Sequence, residues 1–188
     1  MRSLLMLLST VSLASLLLAG CTETNPTPPD PVDHDIVTTV TIVLRPTGVL
    51  IDSLVAVWED IDGVGGKNPN RIDTLTLSAG VVYSGTIRIE NRSVTPAIDI
   101  TSEVATQKDN HQFFYEITNS LGTVVVLDKD SRNMPVGLQY SVSATTAATA
   151  VFGKFKMFLS HFEKATDKNG TTPSTETDVS IELPIVVN

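Results

Sequence analysis

The stretch Asp178-Val-Ser-Ile-Glu-Leu-Pro-Ile-Val-Val187 decides the fold class. Its apolar side chains fall at Val179, Ile181, Leu183, Ile185 and Val187, with polar ones at Asp178, Ser180 and Glu182. A period of two over ten residues describes a strand with one dry and one wet face, the kind found in antiparallel sheets. Pro184 has no N–H to give a ladder, so its presence on the polar parity predicts an edge strand or a bulge there. Glu176 and Asp178 share the polar parity and read as a soluble face. A hydrolytic carboxylate pair faces itself across a cleft instead.

The same alternation recurs outward from this strand. Val40, Ile42 and Leu44 alternate with polar residues, as do Tyr83, Ile87 and Ile89, and Leu138, Tyr140, Val142 and Ala144. Further strands are expected near 50–58, 72–77, 112–118, 123–127 and 153–160, separated by Gly, Asn, Asp and Pro clusters. About nine short strands at this spacing predict an all-β fold, an antiparallel β-sandwich of the Ig-like or Greek-key type. One helix of two or three turns is expected in Ile100–Asp109, capped by Thr or Ser.

The N-terminus reads differently. Arg2 precedes an apolar run from Leu4 to Leu18, and Leu18-Ala19-Gly20 leads into Cys21, the chain's sole cysteine. A basic start, an apolar core and small residues before a cleavage point make an export signal. The Cys directly after Leu-Ala-Gly makes it a lipobox, which resembles bacterial lipoproteins and implies lipidation of Cys21. The run is shorter than the roughly 20 residues of a membrane span. Residues 21–36, rich in proline, read as a disordered tether reaching about 50 Å at about 3.1 Å per residue. The expected organisation is a signal peptide over 1–20, the tether over 21–36 and a β-sandwich domain over 37–188. The mature chain loses Arg2 and no acid, so it is one unit more negative than the −8 of the whole. That balance argues against nucleic acid as a partner. With no second cysteine, disulfides and Cys chemistry are excluded from the domain.

Two acidic loops raise the question of a metal. In Trp58-Glu-Asp60-Ile-Asp62-Gly63, placing Gly63 at position 6 of an EF-hand loop puts Asp60 and Asp62 at positions 3 and 5. Position 1 is then Trp58 and position 12 is Pro69, so the EF-hand pattern fails at both ends. A looser Ca2+ site remains if Asp60 and Asp62 meet Asp128, Asp130 and Asn133 of the second loop. Asp-Gly and Gly-Gly dipeptides are equally ordinary turn formers. An alternative transition-metal pair is His111 with His161, which share parity with apolar neighbours; the bland reading is two hydrogen-bonded histidines at the core margin. Phe114, Phe158 and Trp58 are candidates for an exposed sugar- or partner-binding patch, or for burial under a loop or the helix.

Taken together, the lipobox, Asp60-Ile-Asp62-Gly63-Val-Gly65-Gly66, His111-Gln-Phe-Phe-Tyr115, Asp128-Lys-Asp130 through Asn133 to Pro135-Val-Gly-Leu138, and Thr175-Glu-Thr-Asp-Val179 resemble a family of small lipoproteins from Bacteroidota. The resemblance spans nearly the whole mature chain. It implies a lipid anchor and an envelope location, and no mechanism. The type 1 periplasmic-binding label carried by some members does not suit strands without crossover helices. Thr22 after the lipidated Cys, and the lack of a dense acidic tract there, favour the outer membrane facing the periplasm, with surface exposure second.

The function expected from these readings is a non-enzymatic binding or accessory module, partnered with an outer-membrane protein such as a TonB-dependent transporter or with a small ligand. A calcium- or other metal-binding module is the alternative. A hydrolase comes last, because the chain lacks Gly-x-Ser-x-Gly, His-Glu-x-x-His and a phosphate-binding glycine loop; His111 standing beside His161 would raise it.

Overall fold

The computed structural model describes residues 36–50, 52–63 and 66–188. The signal peptide, Cys21 and all but the last residue of the tether lie outside the described residues. The fold is an all-β sandwich. Strands β1 (Thr39–Pro46), β2 (Leu54–Glu59), β3 (Arg71–Ile72), β5 (Val82–Asn91), β8 (Gly122–Val126) and β9 (Gln139–Ala144) form one sheet in the order β3-β2-β1-β5-β9-β8. The two-residue β6 (Ile98–Asp99) adds to β5. Strands β4 (Leu75–Leu77), β11 (Glu176–Val187), β10 (Val151–His161) and β7 (His111–Ile117) form the second sheet in the order β4-β11-β10-β7.

The inward parity read from the sequence makes the core. Val40, Ile42, Leu44, Ile89, Tyr140 and Val142 of the first sheet are buried against Phe155, Met157, Leu159, Ile181, Leu183 and Ile185 of the second. This compact unit, Asp33–Asn188, carries the whole described core from Val37 to Val187. At its centre Tyr140 lies 4.4 Å from Tyr115 and 6.5 Å from Phe155, ring centre to ring centre, so aromatic rings join the two sheets. Gly85 lies opposite Tyr140 in the β5–β9 pair, and a Cβ there would stand 2.3 Å from a carbon of the tyrosine ring. That close approach is why a glycine interrupts the alternation of β5.

Three expectations are corrected. The single strand expected at 72–77 divides into β3 and β4, which belong to different sheets. Between them Asp73 accepts the Val57 N–H at 2.9 Å and pairs with Arg71 at 2.7 Å, turning the chain. The helix, α1, runs from Ile100 to Thr106, the two turns expected, but its cap is Asp99, whose carboxylate accepts the Ser102 N–H, rather than Thr or Ser. Strand β11 is interior, lying between β4 and β10, and does not bulge at Pro184. Asn188 N–H donates to Leu77, so even-numbered residues of this strand turn their backbone toward β4. The parallel β4 pairs only with Ile185–Val187, so no bond is asked of the nitrogen of Pro184.

Candidate functional site

The bulge lies elsewhere and changes the chemistry of one end of the sandwich. Register between β10 and β11 shifts between Leu159 and Ser160: Leu159 pairs with Val179, but Ser160 pairs with Thr177 and His161 with Glu176. Asp178 is the extra residue. An extra residue reverses side-chain parity beyond it, so Glu176 comes to the histidine side and Asp178 turns inward. Glu176 stays exposed as the soluble-face reading expects, Asp178 is half-buried, and the two carboxylates stand beside His161 and His111.

The two histidines are cross-strand partners, with parallel rings stacked 4.8 Å apart. Because the Gln107 carbonyl can only accept, His111 Nδ1 donates to it, at 3.0 Å. His111 Nε2 then faces Asp178 Oδ2 at 3.7 Å, and His161 Nδ1 faces Glu176 Oε2 at 3.7 Å. A cavity of about 70 Å3 adjoins them, walled by Val37, Ile100, Val104 and Leu159. Stacked imidazoles send their in-plane lone pairs side by side rather than to one point, so this arrangement does not offer one metal ion both histidines. Among the described residues neither imidazole has a hydroxyl as a partner, so they do not build the Ser-His relation of a hydrolytic nucleophile. The signal missed in the sequence was the bulge, which leaves no mark on the alternation of β11.

The two acidic loops stand at opposite sides of the first sheet. One leaves β2 and the other joins β8 to β9, and three strand spacings of about 4.8 Å separate β2 from β9. No group of three or more His, Cys, Asp or Glu able to hold a metal ion occurs among the described residues. In the second loop the carboxylates are already used. Asp128 accepts the N–H groups of Gly137, Leu138 and Gln139 at 2.9, 3.1 and 3.2 Å. Asp130 Oδ1 accepts those of Arg132 and Met134, each at 2.8 Å. Asn133 sits at φ +66°, a left-handed turn position that Asn tolerates well.

Asp130 Oδ2 meets Lys168 Nζ at 3.0 Å, with both side chains fully buried. The same ammonium donates to the carbonyls of Lys108 and His111, each at 2.8 Å, while its contact with Asp130 Oδ2 is a close ion pair outside hydrogen-bond geometry. Lys168 therefore ties the turn after α1, the start of β7 and the β8–β9 loop to the β10–β11 loop. Nothing in the Thr-rich run around Lys168 marks it as a buried staple. Asp60 is buried too, and among the described residues its Oδ1 has no hydrogen-bond partner. Burial and the neighbouring Asp62 raise its carboxyl above the ordinary aspartate value. Asp62 is held low, chiefly by the Lys67 N–H, which it accepts at 3.0 Å.

The aromatic candidates divide. Trp58 is buried in the core. Phe114 and Phe158 are half-buried on the outer face of the second sheet, stacked 5.1 Å apart at 9°. Beyond them Lys156 lies 3.5 Å from Glu116 and 3.9 Å from Glu182, and Lys154 also pairs with Glu182. Phe152, 67% exposed and paired with Val186, ends the row. The outer face thus runs from aromatic through charged to aromatic. No family model matches the chain, and comparison with curated proteins and with solved structures finds no match. No helix among the described residues is long and apolar enough to cross a membrane.

Proposed function

We propose that this protein is a lipid-anchored, non-enzymatic binding module of the bacterial outer membrane, held by Cys21 through the 21–36 tether and facing the periplasm. The observation that carries the reading is the outer face of the second sheet, where Phe152 stands exposed in line with the stacked Phe114–Phe158 pair. Exposed aromatics framed by charged side chains are the composition of partner-binding surfaces. The partner proposed is an outer-membrane protein of the TonB-dependent transporter type, or a small ligand able to stack on the rings. Crosslinking and pull-down from envelope preparations test it. The wild-type chain is expected to recover a receptor, and the combined variant Phe114→Ala, Phe152→Ser, Phe158→Ala to recover at least about tenfold less, the loss of about 1.4 kcal/mol or more that truncated anchor residues give. No recovery by the wild type, or equal recovery by the variant, sinks the reading.

A second reading is favoured by the unpartnered Oδ1 of Asp60. Here the 60–62 turn holds a hard cation such as Ca2+ with Asp60 and Asp62, without help from Asp128, Asp130 or Asn133. A cation that binds the folded state alone must raise the thermal midpoint. About 1 mM calcium against chelator is expected to raise it in the wild type and not in Asp60→Asn, since millimolar affinity is ordinary for extracellular calcium modules. An unmoved wild-type midpoint rejects this reading.

A further inference from the structure

A sheet edge with free backbone groups invites another strand, and folded proteins blunt such edges by shortening, charging or covering them. Three of the four strands that end the two sheets are blunted, and the stretch of β11 that β4 leaves unpaired among the described residues carries Glu176, Asp178 and Glu182. Strand β3 has two residues, one of them the exposed Arg71, and β4 has three. The β8–β9 loop covers the start of β7, where the Phe113 N–H donates to the Val136 carbonyl at 2.7 Å. Strand β8, Gly122-Thr-Val-Val-Val126, has five residues, no charge and no proline. It borders an open groove of about 230 Å3 lined by Phe114, Tyr115, Val124, Val126 and Pro135.

The parity of β8 shows which groups its edge offers. Leu127 N–H donates to Gln139, and Thr145 N–H donates to Leu121. In the register that pairs Gly122 with Ala144, odd-numbered residues therefore bond β9, and Gly122, Val124 and Val126 direct their N–H and C=O groups to the open side. We propose that this edge is a docking surface for a second copy of the chain, with β8 pairing antiparallel to its counterpart about a two-fold axis through Val124. The pairs are Val124 with Val124 and Gly122 with Val126 in both directions, so every outward backbone group finds a partner. Thr123 and Val125, both exposed, meet across the strands as a β-branched pair. Outside the strand, Asp128 falls opposite Ser120 and Lys129 opposite Asn119, so no like charges oppose in a chain whose net charge of −8 repels its copy elsewhere. An interface that is its own complement is what a two-fold dimer requires.

Sedimentation and amide exchange on residues 33–188, the unit that holds the described core, test this. A five-residue strand pair is small beside standard interfaces, so association is expected between about 10 µM and about 1 mM. Over that range the wild type should pass from monomer toward dimer, with slowed exchange at Gly122, Val124 and Val126 and none added at Thr123 and Val125. Val125→Lys places a charge on the exposed row and is expected to abolish both changes with the thermal midpoint unmoved; Thr123→Lys serves equally should the first variant fold poorly. A wild type that stays monomeric throughout overturns the proposal. So does dimerisation that persists in both lysine variants, or protection of the three even-numbered amides that appears only on adding envelope extract, which would assign the edge to a foreign strand.

Discussion

Lys168→Met is expected to lower the unfolding free energy by about 3–5 kcal/mol, the loss that follows when one member of a buried ion pair is removed and the other stays charged. The substitution strands Asp130 Oδ2 and leaves the carbonyls of Lys108 and His111 without their donor. Denaturant unfolding measures it, as a lower midpoint with an unchanged slope. The double variant Lys168→Met, Asp130→Asn is expected to regain part of the loss. Asparagine keeps an oxygen for the Arg132 and Met134 N–H groups and carries no charge to leave unpaired. A fall of less than about 1 kcal/mol, the usual value of an exposed pair, would show that the staple is solvated.

The pair also sets a pH dependence. Burial raises the Asp130 carboxyl, but the Met134 N–H, the Lys168 ammonium and the Arg132 N–H together bring it below its ordinary value. Burial also draws the Lys168 ammonium down, which Asp130 offsets only in part. The carboxylate is thus the group that gains from the pairing. Its folded value lies below its unfolded one, so its contribution is whole above the ordinary aspartate range near about 4 and is lost as pH falls through the folded value. The gap in stability between wild type and Lys168→Met should narrow on acidification through that window.

Phe155→Ala is expected to lower stability by about 3–5 kcal/mol, the range for deleting a fully buried phenylalanine ring. Phe155 has no exposed surface and stands 5.8 Å from Tyr115 and 6.5 Å from Tyr140. Collapse into the space is hindered from both sides. Tyr115 is held by donating its hydroxyl to the Gly137 carbonyl, and Tyr140 already fills the gap left by Gly85. Phe155→Leu retains most of the apolar volume and is expected to lose distinctly less, so the two variants together separate a cavity from a loss of fold. Equal losses would mean that ring volume is not what the site requires.

The surfaces differ in how far they could be read in advance. Phe114 and Phe158 stood on the polar parity of their strands, and they do share an outer face. Trp58 lies on the inward parity of β2, paired with the buried Val40, and so left the patch. Asp60 and Asp128 look alike as Asp-x-Asp loops, but one carboxylate is buried with a bare oxygen and the other accepts three backbone amides. Nothing local distinguishes them, because the partners of Asp128 lie nine to eleven residues away and arrive only when β8 and β9 pair.

From the residues alone came the sandwich, the inward faces of its long strands, the helix near 100 and the failure of the EF-hand spacing. All of these are properties of a segment and its own periodicity, which neighbouring side chains state directly. The bulge that turns Asp178 inward, the Lys168 staple and the bareness of β8 were decided only by tertiary structure. Each depends on which distant segment lies alongside: the register of β10 on β11, the meeting of three loops and the start of β7 at one buried ammonium, and the strand order that leaves β8 at the end of its sheet.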